Sequence, residues 1–93
     1  MTRLAMDKQH PLYGKCYVVA EALYHIWAKA AGFRPMHLTY KGVSHWWLQG
    51  PDGTILDLTQ GQFLEPFPYV KGRYLPFLTK ASSKRTREFL GVS

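Results

Sequence analysis

The 93-residue chain holds one cysteine, Cys16. A single thiol excludes an internal disulfide framework and every metal site built from paired cysteines. It fits a reducing compartment, where a free thiol stays chemically available, so a cytoplasmic location is the expectation. Long apolar runs are also missing. Nothing reaches the length of a membrane span, and no membrane partner is expected. The start, Met1-Thr2-Arg3-Leu4-Ala5-Met6-Asp7-Lys8, has no apolar core of the kind a secretion signal needs. Acidic residues are few, 6 against 12 Lys and Arg, giving a net charge of +6. The chain shows no internal repeat and no low-complexity stretch.

What the chain has in quantity is aromatic: three Trp, six Tyr and five Phe. Large rings bury much area per residue, which a small domain needs. The length allows a single domain, residues 1–93, with one modest core. The excess of positive charge raises nucleic acid as a partner. Its distribution argues against that, because Lys80, Lys84, Arg85 and Arg87 gather near the C-terminus while Arg3, Lys8, Lys15, Lys29, Arg34 and Lys41 are scattered. A solvated basic tail accounts for this pattern, and no tight nucleic-acid binding is expected.

Residues Met1 to Lys15 read as irregular, with His10-Pro11 disfavouring helix and Gly14 suiting a turn or cap. From Cys16 to Ala31 the apolar positions Cys16, Val19, Ala20, Leu23, Trp27 and Ala30 recur at helical spacing. Gly32 stops the helix and Pro35 lies just beyond. The period then changes to two. Met36–Tyr40, Val43–Gln49 and Thr54–Thr59 read as strands of an antiparallel meander. Thr59–Arg73, with two Pro and two Gly, reads as loop. Tyr74–Leu78 reads as a short edge strand broken by Pro76. Ser82 or Ser83 caps a last helix, Lys84–Leu90, stopped by Gly91. The expected class is α+β: an N-terminal helix packed on a small antiparallel sheet, with a short C-terminal helix.

The turn between the second and third strands decides a register. Pro51 suits the second position of a type I turn, Asp52 the third, and Gly53 a left-handed residue after it. That three-residue loop sets Trp47 opposite Asp57 and His45 opposite Thr59. His45 and Asp57 then lie diagonally on one sheet face, close enough for side chains to meet. A two-residue loop would put them on opposite faces. The apolar pattern agrees: Trp46, Leu48, Leu56 and Leu58 fill one face, and His45, Trp47, Ile55 and Asp57 the other.

Cys16 at a helix start, His45 on one strand and Asp57 on the next form the layout of a thiol nucleophile, its base and the base's orienter. A helix N-terminus and a nearby imidazole both favour the thiolate. The Cys16 amide can serve as one oxyanion donor. A second donor is Gln9 or a backbone amide within His10–Gly14, and the sequence leaves that choice open. His10, Tyr17 and Trp47 are candidates for substrate contact. Asp57 between Leu56 and Leu58 needs a polar partner, since a carboxylate flanked by core positions is costly alone. His25 falls off the apolar stripe and reads as solvated. His37 falls on the Trp46 face and reads as structural. No ligand spacing such as HxxxH or HExxH accompanies these groups, so neither a metal nor another cofactor is expected.

Two stretches resemble a known superfamily. Ser44 to Thr59, Ser-His-Trp-Trp-Leu-Gln-Gly-Pro-Asp-Gly-Thr-Ile-Leu-Asp-Leu-Thr, is similar to the His-strand-turn-strand-Asp element of papain-like cysteine enzymes in their transglutaminase-like and arylamine N-acetyltransferase-like branch. Gly14 to Leu23, Gly-Lys-Cys-Tyr-Val-Val-Ala-Glu-Ala-Leu, is similar to their nucleophile helix. The chain also resembles small proteins of tailed phages and actinobacteria with a Cys-Tyr-Val/Ser-His-Trp pattern. The resemblance covers residues 14–60 and implies a minimal papain/transglutaminase-like core with Cys16, His45 and Asp57 as catalytic residues. Tyr17 stands where many such enzymes carry Trp, and the Cys-to-His interval is short.

The leading expectation is therefore an enzyme, a thiol-dependent hydrolase or acyltransferase acting on an amide or ester of a small molecule, peptide or protein. Peptidase, amidase, deamidase and acyl-transfer chemistry share these groups. A second reading is a non-catalytic phage-type module that binds a protein or ligand through Trp47, Tyr40 and Phe63. A third is nucleic-acid binding through the basic C-terminal region. The sequence does not address the oligomeric state.

Overall fold

The structure is a computed structural model and describes residues 2–77 and 83–91. It is an α+β domain with a four-stranded antiparallel sheet. Helix α1 spans Cys16–Leu23 and continues as a π-helical turn, Tyr24–Ala28. Strands β1 (Arg34–Tyr40), β2 (Val43–Gln49), β3 (Ile55–Leu56) and β4 (Arg73–Tyr74) follow, and helix α2 is Lys84–Leu90. The strand order is β3-β2-β1-β4.

The turn chemistry does what its residues demand. Gly53 takes φ +88°, in the region open to glycine. Its N–H reaches Gly50 O at 3.0 Å, and Gly50 N–H reaches Thr54 O at 2.8 Å. Asp52 Oδ1 accepts from both the Thr54 amide and the Thr54 hydroxyl, pinning the loop. The register that results pairs Leu48 with Leu56 and Gln49 with Ile55, as the three-residue loop requires. β3 is shorter than the expected Thr54–Thr59. After Leu56 the chain turns away, because Asp57 and Thr59 use their polar groups on each other instead of a ladder.

The sheet has a core on each side. On one face Ala20, Ala28 and Leu48 are buried with Leu23, Tyr24, Phe33, Trp46, Leu56 and Phe77 packed on them. On the other, Leu4, Val43, Trp47 and Phe67 are buried, supported by Met6, Met36, Leu38, Tyr40, Phe63 and Tyr69. The second core is covered by chain without long helices. The N-terminal segment is tied to residues 62–64 by a Met6–Phe63 bridge and by Asp7 N–H to Gln62 O at 2.7 Å. Thr59–Arg73 is accordingly more ordered than the expected loop, with 3₁₀ turns at Gln60–Gln62 and Tyr69–Lys71.

Several expectations need correction. The regular α-helix ends at Leu23 and not at Ala31. The wide turn is closed by Lys29 N–H to Tyr24 O at 2.9 Å, and adding one residue to a turn rotates everything after it. Ala28 takes the core place the helical period assigned to Trp27, and Trp27 is left 53% exposed. His25 turns inward for the same reason. It is half-buried against Tyr24 and Phe77 instead of solvated. β1 begins earlier, at Arg34, and the last strand is Arg73–Tyr74 instead of Tyr74–Leu78, whose Leu78 lies outside the described residues. Trp47 is wholly buried and offers no surface to a partner, while Tyr40 and Phe63 are half-buried against the same core. α2 forms where expected, with Ser83 as its cap, its Oγ 3.3 Å from the Thr86 amide; Ser82 and Lys80 lie outside the described residues. This helix docks through Thr86, which is fully buried, and through Glu21 of α1, whose Oε1 accepts from the Ser83 amide at 2.6 Å.

Candidate active site

Three elements converge on one cavity. Its lining includes Arg3, Tyr13, Gly14, Cys16, Ser44, His45 and Gln62, and its volume is about 350 Å³. Cys16 is the first residue of α1 and is half-buried. The first N–H groups of a helix have no acceptor within it, and the Cys16 amide is one of these. β3 pairs with β2 only at Leu48 and Gln49. The opposite end of β2 is therefore free of β3, and the helix start fills that place. Cys16 Sγ lies 3.9 Å from Ser44 O, long for a sulfur hydrogen bond, and the thiol is near enough to the His45 ring to act on its protonation.

His45 Nε2 and Asp57 Oδ2 are 2.7 Å apart. This bond leaves Nδ1 as the ring nitrogen available to the thiol. The pair is enclosed by rings: Phe63 at 4.6 Å and Phe67 at 4.9 Å between centroids, and Trp47 stacked at 5.7 Å. Such a surround keeps water out and strengthens the electrostatic interactions inside it. Asp57 is fully satisfied. Oδ1 accepts from the Thr59 amide at 3.0 Å and hydroxyl at 2.8 Å, and Oδ2 also accepts from the Tyr69 hydroxyl at 2.6 Å.

These contacts set the charge states. Burial works against protonated His45. The hydrogen bonds to Asp57 and Cys16 and the charges of both outweigh it, and the imidazole pKa is raised. Burial likewise works against ionised Asp57. His45, Tyr69 and Thr59 overcome it, and the carboxyl pKa is lowered. Burial and the adjacent Asp57 push the Tyr69 phenol upward, so it remains a donor. The buried pair is thus biased toward its charged form, imidazolium beside carboxylate.

Cys16, His45 and Asp57 are thus brought together. The other candidates lie elsewhere. Gln9 is exposed and its amide bonds Asp7 Oδ1. His10 Nδ1 accepts from the Leu12 amide, and its ring lies against Gly61. Tyr17 packs edge-on against Trp46 and Phe77 on the opposite sheet face. Trp47 lies behind His45 as its stacking partner. None of the four lines the cavity. Among the described residues no group of three His, Cys, Asp or Glu is arranged to hold a metal ion.

One lining residue had no signal in the sequence. Gln62 is 2% exposed. Its Oε1 accepts from the Gly14 amide at 3.2 Å, while its Nε2 is buried without a partner. A buried donor left unpaired costs about 1–3 kcal/mol, and folded proteins keep few.

No family model, curated protein or solved structure matches the chain.

Proposed function

We propose that this protein is a thiol-dependent hydrolase or acyltransferase acting on an amide or ester, with Cys16 as nucleophile, His45 as base and acid, and Asp57 as orienter. The observation that carries the reading is the buried His45–Asp57 bond, which directs the free edge of the imidazole to a thiol opening on a cavity. A carboxylate held by four hydrogen bonds is an expensive feature for a core that needs only packing, and it has a purpose if the imidazole must keep one orientation and accept a proton.

The reading follows the papain-like or transglutaminase-like resemblance of the sequence, with the nucleophile at a helix start, the base on β2 and the orienter just after β3. In the reaction, His45 takes the thiol proton and the sulfur attacks the acyl carbon. The imidazolium then protonates an amine leaving group, and water or another acceptor releases the acyl group. Such a thiol works where it stays reduced. Among the described residues no helix is long and apolar enough to cross a membrane.

The test is reactivity. At pH 6, Cys16 is expected to alkylate with iodoacetamide faster than free cysteine, and His45→Ala to remove most of that advantage. p-Nitrophenyl acetate is expected to acetylate Cys16, as mass spectrometry would show, and the adduct to turn over in the wild type. A thiol no faster than free cysteine and indifferent to His45 would reject the enzyme reading and leave a binding module.

A further inference from the structure

We propose that Arg3 is the specificity residue of this site, its guanidinium binding a carboxylate carried close to the acyl carbon of the substrate. The proposal rests on the thiol–acyl reading above and names its substrate class: an ester or amide of a small acyl group that bears a free carboxylate.

Arg3 is exposed and lines the same cavity as Cys16 and His45. The fold makes no use of its charge. Its side chain gives Nη1 to Gly42 O at 3.0 Å, and among the described residues no carboxylate pairs with it. Glu65, the acid that reaches this end of the sheet, is already committed. Its Oε1 meets Lys41 Nζ at 2.9 Å, and its Oε2 accepts from the Ala5 amide at 2.9 Å. No Asp or Glu lines the cavity. A fixed cation in a concave wall without acids draws in anionic ligands.

Local structure places the guanidinium. Leu4 is 2% exposed, and its amide donates to Lys41 O at 3.1 Å. Arg3 is thereby anchored, through its neighbour, beside the β1–β2 turn. Its side chain crosses Gly42, where a Cβ would fall 3.5 Å from Nη1 and 4.0 Å from Cγ. The bond to Gly42 O uses one N–H and leaves the rest of the fork open, and such a fork matches the two oxygens of a carboxylate.

Gly42 is two residues before Ser44, whose carbonyl oxygen lies 3.9 Å from Cys16 Sγ. At the rise of a strand, Gly42 and Ser44 are roughly 7 Å apart. A short acyl chain with a terminal carboxylate spans a gap of that order, and a cavity of about 350 Å³ has room for it. The neighbouring lysines suit the role less. Lys15 precedes Cys16 but does not line the cavity, and Lys41 is neutralised by Glu65.

The test compares paired reagents that differ in charge. Iodoacetate and iodoacetamide alkylate a thiol by the same displacement. The mono-p-nitrophenyl ester of adipic acid and its methyl-capped counterpart deliver acyl chains of the same length. Rates are read above a Cys16→Ser background in wild type, Arg3→Gln, Arg3→Lys and Lys8→Gln, with thermal unfolding of each. Protonated His45 also attracts an anion, so the change between variants, and not the preference itself, reports on Arg3. Arg3→Gln is expected to lower the preference for the anionic reagent about tenfold in both pairs, and for the ester through KM and not kcat. Arg3→Lys keeps the charge without the fork and should fall between. Lys8→Gln removes an exposed charge outside the cavity and should keep the wild-type preference. A preference unchanged in Arg3→Gln, or lost equally in Lys8→Gln, overturns the proposal and leaves the thiol chemistry standing. A wild type alkylated by iodoacetate but acylated by neither ester overturns the functional reading instead, and this proposal with it.

Discussion

His45 Nε2 and Asp57 Oδ2 meet at 2.7 Å with side chains only 1% and 3% exposed. At that depth the pair determines which nitrogen of the imidazole carries a proton. Asp57→Asn separates this role from packing, since the shape hardly changes. The Thr59 amide and hydroxyl retain an acceptor in the Asn oxygen, so the Asn amide nitrogen turns toward His45. Nε2 must then accept, which puts the proton on Nδ1, the nitrogen facing Cys16. The base is lost while the ring stays in place. Acylation by p-nitrophenyl acetate is expected to fall by roughly 10³-fold or more, with a folded protein by circular dichroism. An unchanged rate would remove Asp57 from the mechanism.

The same pair predicts a pH profile for stability. The Asp57 pKa is lower folded than unfolded, so its contribution is present above the ordinary carboxylate value and lost as pH falls through the folded one. Glu21 shifts the same way: burial opposes its ionisation, but hydrogen bonds led by the Ser83 amide outweigh it. The His45 pKa is higher folded than unfolded, so its contribution is present below the ordinary histidine value and lost as pH rises through the folded one. The pair therefore supports the fold most strongly between about pH 4 and 6.5. Urea midpoints measured from pH 3 to 9 should peak in that window, and Asp57→Asn should flatten the profile on both sides. A wild-type midpoint that climbs steadily to pH 9 would contradict the ion pair.

Local chemistry made part of this site legible in advance. The Pro51-Asp52-Gly53 loop length determines the β2–β3 register, and the register alone puts Asp57 within reach of His45. Gly14 and the apolar spacing after it mark Cys16 as a helix start. The π-helical turn was not legible, because the apolar spacing at Ala20, Leu23, Trp27 and Ala30 fits an uninterrupted helix and the extra residue appears only in the packing of Ala28. The burial of Trp47 is not legible either, because its cover comes from Phe67 and Tyr69, in a segment whose prolines and glycines read as loop. Gln62 was invisible for a related reason. Its place at the cavity depends on Gly14, 48 positions away, and no spacing rule connects the turn after Asp57 to the loop before Cys16.

Gly72 carries the last prediction. A Cβ at this position would fall 2.2 Å from one carbon of the Trp47 ring and 2.3 Å from the next. The ring has nowhere to retreat, since Trp47 is completely buried and packed against Phe67 and Tyr69. Glycine is therefore required by close approach and not by backbone angle. Gly72→Ala must displace either the indole or the 3₁₀ turn Tyr69–Lys71, and overpacking of this kind costs about 1–3 kcal/mol. The damage should reach the site as well. Trp47 stacks on His45 at 5.7 Å, and Tyr69, the first residue of that turn, donates to Asp57. The expected outcome is a lower urea midpoint together with slower Cys16 alkylation, although residue 72 does not line the cavity. A second substitution, Trp47→Phe, removes the two ring carbons that the new methyl would strike and should recover part of the stability that Gly72→Ala loses. If Gly72→Ala is as stable as wild type, or if Trp47→Phe worsens it additively, the close packing of Gly72 on Trp47 is wrong.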